Sequence, residues 1–370
     1  MGAGRIQIMA QNEKGRYMKS VHITDIVCVR VVKEIIALRK EGIETTIVCA
    51  QVGVPDLIHL MGPIRFYRFR DFEQAAFLVT EEKPDIVHVH SEPAGLLAVL
   101  GCEQSPLRKA KFVLDIHDSV TLSSATDWIA KEDTLKAEAE DFKRADAVIV
   151  PSETYFKTFS KIFSPENGYN KKPILVRSLA LDMPKPKSLT KLPGIAYWGG
   201  LTIDGWRDYK RLFTILGDIG WPVYAYAPGA EGLRSHYDDS GCVLRHCEYF
   251  DLMRQVSRHS LALIAPPSDG CKRWLGALPN KYFEAIALKI PILTWGCPDV
   301  ALDIQRYGGG IVCADESSAI DVLRTRLTEC KARTKPYTWA REIEPVVNTY
   351  QRLTGKISAG VGITLDTIKA

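Results

Sequence analysis

Short apolar runs alternate with longer amphipathic stretches through both halves of this chain, and one segment with little to bury separates the two series. A strand buried on both faces reads as a near-continuous apolar run. The helix that crosses back over a parallel sheet reads as an amphipathic stretch. In the first half, Arg5 to Ala10, Thr45 to Ala50, Ile86 to Val89, Phe112 to Ile116 and Ala147 to Val150 read as strands, with helices over Ile26 to Lys40 and Asp71 to Glu81. In the second half, Ile195 to Trp198, Val223 to Ala227, Leu261 to Ala265, Ile292 to Thr294 and Gly310 to Cys313 read as strands. Helices fall near Tyr209 to Leu216, Phe250 to Ser260, Lys281 to Leu288 and Ser317 to Cys330. The stretch Asp182 to Gly194, rich in proline and lysine, has the composition of a linker. A chain of 370 residues exceeds the size at which a single core keeps growing. Two doubly wound, Rossmann-like α/β domains facing each other across a cleft follow, at residues 1–185 and 186–345. Residues 346–370 form a C-terminal helix and tail that packs back on the first domain. Ligands of such sheets lie beyond the carboxyl ends of the strands.

Charge and cysteine content narrow the function. A net charge of +4 is small for this length and does not point to nucleic acid. The run Arg65-Phe66-Tyr67-Arg68-Phe69-Arg70 interleaves cations with aromatics, but in a strand its arginines divide between two faces. The nine cysteines contain no Cys-x-x-Cys pair, which suits reduced thiols in a cytoplasmic protein. Cys242, His246 and Cys247 fit no common zinc spacing, so no metal and no cofactor is expected. No apolar run is long enough to span a bilayer, and the polar stretch from Gln11 to Arg16 comes too early for an ordinary signal peptide.

The candidate site residues cluster after strands. Pro279 to Thr294 sets a cation, an anion and a helix start within about one turn, just before a buried strand. Asn280 can cap that helix, while Lys281 and Glu284, three apart, share a stripe distinct from apolar Phe283, Ile286, Ala287 and Ile290. Free amides and the Lys281 ammonium suit a phosphate, and Glu284 suits ribose hydroxyls. The same spacing also fits an ordinary amphipathic helix with a solvated Lys and Glu. Upstream, the loop Pro266 to Leu278 brings Lys272 and Arg273, with the backbone amides of Ala277 and Leu278 open to phosphate or sugar. Tyr197-Trp198-Gly199-Gly200 closes a strand and is followed by Arg207 and Lys210: the glycines let backbone approach a ligand, and the cations neutralise phosphate. In the first half, strand Ile86 to Val89 runs into His90, Ser91 and Glu92, and strand Phe112 to Ile116 runs into His117 and Asp118. His117 can approach a reacting sugar and Asp118 can orient an acceptor hydroxyl or act as its base, although a turn capped by Asp118 fits as well. Gly2-Ala3-Gly4 precedes its strand and is no dinucleotide fingerprint, and no Asp-x-Asp occurs.

At this point the chain resembles the retaining, two-domain GT-B glycosyltransferases, in particular glycosyltransferase family 4. The segments that carry the resemblance are Pro84 to His90, the His117-Asp118 strand end, Ala145 to Ser152, the Tyr197 to Gly200 turn and the Pro279 to Ala287 helix, in the expected order. The last is similar to a Pro-Asn-Lys-Leu-Phe-Glu version found in transferases of cell-surface polysaccharides. The resemblance implies that Glu284 binds donor ribose, that Lys281 lies near the diphosphate and that His117 approaches the sugar. Many members carry a second Glu eight positions before the ribose-binding one; here that position is Gly276. The expected activity is metal-independent transfer of a sugar from a nucleoside diphosphate donor to a hydroxyl of a glycan or lipid-linked acceptor, with retention of configuration. Peripheral membrane contact follows only for the lipid-linked case. Two other readings stay open, a nucleotide-sugar epimerase and a catalytically weak sugar-nucleotide-binding protein.

Overall fold

A computed structural model of the chain describes residues 18–90, 110–119, 132–169, 171–181, 192–268, 278–325 and 337–356, together with 100, 105, 107, 274, 276, 333 and 334. It contains two parallel sheets. The first is built from β1 (Lys19–Val27), β2 (Glu44–Val52), β3 (Arg65–Arg68), β4 (Ile86–His90), β5 (Lys111–Asp115), β6 (Ala147–Val150) and β7 (Ile174–Leu175), in the order 3-2-1-4-5-6-7. The second comprises β8 (Leu192–Trp198), β9 (Val223–Tyr226), β10 (Val243–Arg245), β11 (His259–Leu263), β12 (Ile292–Thr294) and β13 (Gly310–Val312), in the order 10-9-8-11-12-13. In each sheet the direction of winding reverses beside the first strand, between β1 and β4 and between β8 and β11. A crevice at the strands' carboxyl ends opens at such a point.

Helices α1 (Val29–Lys40), α2 (Phe72–Glu82), α3 (Glu132–Arg144) and α4 (Glu153–Ile162) accompany the first sheet. Helices α5 (Lys210–Asp218), α6 (Ala230–Tyr237), α7 (Tyr249–Val256), α8 (Asn280–Ala287), α9 (Pro298–Tyr307) and α10 (Glu316–Arg324) accompany the second. The last, α11 (Trp339–Thr354), returns to the first sheet and packs on α1 and β7. The fold is thus doubly wound α/β in both halves. Its apolar core is continuous between them: Val27, Val31, Val32 and Ile35 of the first half belong to one buried cluster with Trp198, Tyr282 and Phe283 of the second.

Several elements depart from the sequence reading. The stretch predicted as the first strand, Arg5 to Ala10, lies outside the described residues. The first strand of the sheet in chain order is Lys19–Val27, flanked by β2 and β4, so α1 begins at Val29 and not at Ile26. Its sequence, KSVHITDIV, hides a strand because one buried face carries Ser20, His22 and Thr24, all buried polar residues. A face that is polar and yet dry defeats the apolar alternation by which strands are recognised. The linker was also drawn too long: Leu192-Pro193-Gly194 belong to β8, where Leu192 pairs with His259 of β11. Residues 182–191 lie outside the described set. Helix α7 ends at Val256, short of the expected Ser260; α10 spans Glu316–Arg324, and its expected end at Cys330 lies outside the described residues.

Candidate functional site

The second sheet supplies one wall. Strand β8 ends in Trp198, and Gly199 turns the chain with φ 129°, a conformation that favours glycine. A Cβ placed there would lie 3.8 Å from Lys281 Nζ, and one on Gly200 would lie 2.7 Å from Arg207 Nη1. The structure therefore brings Gly199, Gly200, Arg207 and Lys281 together. Lys281 is buried, with its ammonium 4.0 Å from the ring centroid of Tyr197 and 5.1 Å from that of Trp274. The aromatic faces attract the cation. Burial nevertheless pushes its pKa down to about 7, and the nearby Arg207 charge acts in the same direction. Arg207 itself is exposed and rests 4.2 Å over the Trp206 ring.

Helix α8 is not amphipathic in the expected sense, because Lys281, Tyr282, Phe283, Glu284 and Ala285 are all buried. It lies between the two halves, so its polar residues meet protein where water was expected. Glu284 Oε1 accepts from the Tyr249 hydroxyl at 2.8 Å and from Lys33 Nζ of α1 at 3.1 Å, while Oε2 accepts from Trp198 Nε1 at 2.8 Å. Asn280 does not cap the helix. Pro279 holds the N-cap position without a side-chain bond, and the Asn280 side-chain oxygen accepts from the Ser178 hydroxyl across the two halves. Of the remaining second-half candidates, Lys210 pairs with Asp239 at 2.8 Å, and Leu278 is half-buried. Lys272, Arg273 and Ala277 lie outside the described residues.

Gly276 stands at a contact between the halves. Its carbonyl accepts from the Ser152 hydroxyl at 3.0 Å, and a Cβ there would come 2.9 Å from the Tyr155 ring. Steric packing against α4 thus accounts for the absence of a longer side chain.

The first sheet supplies the facing wall, and there the structure adds residues that the sequence reading missed. His117 Nε2 donates to Asp115 Oδ2 at 2.8 Å, and Asp118 is exposed. Asp115 is held from behind by Arg30, whose Nε and Nη2 reach its two oxygens at 2.9 and 2.7 Å. Burial disfavours the charged form of His117. The Asp115 carboxylate and the neighbouring Cys28 outweigh it and raise the His117 pKa well above the usual histidine value. Burial likewise opposes the Asp115 charge, but Arg30 and His117 hold its carboxyl well below the carboxylate range.

Behind this pair runs a column of imidazoles. His90 Nδ1 lies 3.2 Å from Asp115 and 3.1 Å from His117, its Nε2 lies 3.1 Å from His22 Nδ1, and His88 Nδ1 contacts the Tyr350 hydroxyl of α11. Burial pushes His90 down to about 4 and holds His22 and His88 well below the usual histidine value, so all three are neutral near pH 7. Glu34, His88, His90 and Asp115 place four ligand atoms within 4.8 Å of one another, as metal ligands do. Arg30 already supplies a cation there, with Nη2 2.8 Å from Glu34 Oε1 and 2.7 Å from Asp115 Oδ1. The i, i+2 pairs His88/His90 and Asp115/His117 in adjacent strands were the available signal, because such spacing puts both members of each pair on one face.

Residues 29–166 match the family model described as Glycosyltransferase Family 4. No curated protein sequence matches the chain. Among solved structures, the S. aureus MnaA–UDP complex superposes with a TM-score of 0.61 at 12% identity, covering 93% of this chain and 100% of that one. The Anabaena protein HepE in complex with UDP and glucose gives 0.58 at 12% identity, over 84% and 90% of the two chains. An E. coli trehalose-6-phosphate structure bound with UDP-2-fluoro glucose gives 0.55 at 10% identity, over 91% and 95%. At such identities the likeness is one of fold. It is the two-domain GT-B arrangement that the paired sheets describe.

Proposed function

We propose that this chain, which carries the GT-B fold and a glycosyltransferase family 4 segment over residues 29–166, transfers a sugar from a nucleoside diphosphate sugar to a hydroxyl of a glycan or lipid-linked acceptor. In this reading the anomeric configuration is retained and no metal takes part. The single observation that carries it is the convergence of Gly199, Gly200, Arg207 and Lys281 at the start of α8, beyond the carboxyl end of β8. That corner pairs two cations with helix amides, which suits a departing diphosphate. The HepE and MnaA structures, solved with UDP, support the choice of donor class.

Each residue has a role in this scheme. Lys281 and Arg207 neutralise the negative charge that develops on the leaving diphosphate as the glycosidic bond breaks. Lys272, Arg273 and the amides of Ala277 and Leu278 add to the phosphate cradle, and Lys210 is a more distant cation of the same wall. Glu284 takes the ribose hydroxyls as donors in place of Lys33 when the two halves part. His117, held protonated by Asp115, approaches the sugar as a positive charge, and Asp118 orients the acceptor hydroxyl. A lipid-linked acceptor brings the protein to a membrane surface. No helix among the described residues is long and apolar enough to cross one.

A second reading, a sugar-nucleotide-binding protein with weak catalysis, is favoured by Glu284, whose oxygens already accept from Trp198, Tyr249 and Lys33. One experiment separates the two. The full chain is screened against nucleotide sugars by thermal shift, and the best stabilising donor is then incubated with a panel of glycan and lipid-linked acceptors while nucleoside diphosphate is measured. Transfer predicts acceptor-dependent release. Stabilisation without release favours the binding protein, conversion of the donor to an isomer without acceptor favours an epimerase, and no stabilisation by any nucleotide sugar overturns the reading.

A further inference from the structure

Cys28 occupies the N-cap position of α1, directly after β1 at the point where the winding of the first sheet reverses. Its Sγ lies 3.7 Å from His117 Nδ1, and the opposite nitrogen of the same ring is 2.8 Å from Asp115. Arg30 grips that carboxylate with two bonds and donates a third to the Val176 carbonyl at 3.0 Å, so the orienting acid is fixed in the protein frame. A sulfur, an imidazole and a buried carboxylate thus stand in line. Cys28 also precedes the first free amides of α1, whose positive end favours an anion at this position.

We propose that Cys28, His117 and Asp115 form a thiolate site that reacts with peroxides. His117, charged through its bond to Asp115, holds the sulfur as thiolate and supplies the proton that the reaction needs. The thiolate attacks one peroxide oxygen, the S–O bond forms as the O–O bond breaks, and the departing hydroxide takes the His117 Nδ1 proton and leaves as water. Sulfur is oxidised by two electrons, the peroxide is reduced by two, and the product is a sulfenic acid. The cations facing the sulfur work toward the thiolate, His117 from the end of β5 and Arg30 and Lys33 from α1, while the Asp115 carboxylate favours it only through His117 and by its own charge opposes it. Burial opposes it, and the net effect is a thiol below its ordinary value. Cys28 packs against the apolar cluster shared by both halves, so an added oxygen bears on the cleft itself.

The chain contains its own controls. Cys242 and Cys247 are also half-buried, but burial raises their thiols, and among the described residues neither bonds an imidazole. The full chain is treated with about one equivalent of hydrogen peroxide in the presence of dimedone, and the peptides are read by mass spectrometry. We expect Cys28 to be trapped at least about tenfold faster than Cys242 and Cys247. Its alkylation by iodoacetamide should change less steeply between about pH 6.5 and about pH 8.5 than that of Cys242 and Cys247, since an ordinary thiol changes about 50-fold over that range. In His117→Gln the rate should fall at least about tenfold and the ordinary pH slope should return. Trapping of Cys28 no faster than the two control cysteines, or an ordinary pH slope in the parent, overturns the proposal. So does a His117→Gln protein that folds and reacts as fast as the parent. If that variant does not fold, the pH slope of the parent decides alone. No donor or acceptor sugar enters the assay, so its outcome is separate from that of the transferase reading.

Discussion

At the scale of single residues the site is governed by what burial does to charge. Lys281 sits among Tyr197 and Trp274, and dehydration brings its ammonium down to about 7. A phosphate placed beside it would favour the charged form and raise that pKa, so binding takes up a proton when the pH lies above about 7. Donor affinity should therefore fall as pH rises through about 7, and titration calorimetry in buffers of different ionisation enthalpy should detect the proton uptake. Lys281→Met should weaken nucleotide diphosphate binding by about 10- to 100-fold while leaving nucleoside binding little changed, as expected when a charge-assisted contact worth about 1.5–3 kcal/mol is lost. An equal loss for nucleoside would place the diphosphate elsewhere. Glu82 shows the opposite balance. Burial pushes its carboxyl up, but bonds from Lys19 and Tyr67 and the charges of Lys19 and Arg65 bring it down to about 2. Because the folded value is depressed, its contribution is complete above about 4.5 and is lost as pH falls through about 2. Glu82→Gln should cost about 1–3 kcal/mol at neutral pH, with the difference from the parent shrinking on acidification in a denaturant series.

At the scale of elements, Gly276 shows how a loop position is fixed by a neighbouring helix. Tyr155 of α4 would sit 2.9 Å from a new Cβ, so Gly276→Ala should destabilise the folded chain by about 1–3 kcal/mol as the ring is forced aside. An unchanged melting temperature would show that α4 yields freely. The elements themselves were legible in the sequence to different degrees, for physical reasons. Strands such as Ala147–Val150 and Ile292–Thr294 are short apolar runs, and the order of elements gave two parallel sheets. Strand β1 was lost because Ser20, His22 and Thr24 make one face polar, and the partners of Ser20 and His22 include Tyr350 and His90, which are distant in sequence. For the same reason His117 was singled out while Asp115 and Cys28, which set its charge, were not. Their role exists only once β1 and β5 are aligned through β4. The start of α8 was recognised as polar, but local spacing cannot report that Lys33, some 251 positions away, would reach Glu284.

At the scale of the whole molecule, the two halves are tied by polar contacts laid over a shared apolar core. Lys33 meets Glu284 at 3.1 Å, the Asp56 carboxylate accepts from the Tyr249 amide at 2.8 Å, and the Thr154 hydroxyl donates to Asp299 at 2.8 Å. Breaking one side of the buried Lys33–Glu284 pair leaves an anion without its counter-charge. Lys33→Met should therefore lower stability by about 3–5 kcal/mol, measured by chemical denaturation. If ribose hydroxyls replace Lys33 on Glu284, the same variant should bind nucleotide at least as tightly as the parent once compared below its melting point. Weaker binding would mean that the ammonium itself contacts the ligand. Helix α11 has a consequence of its own. It carries Tyr350 to His88 and closes the imidazole column from the outside, although 182–191 and the entire second sheet intervene in the chain. Severing the protein at that connection would leave the amino-terminal fragment with its histidines open to solvent. A stable isolated fragment would need residues 339–354 returned to it, by circular permutation or as a separate peptide.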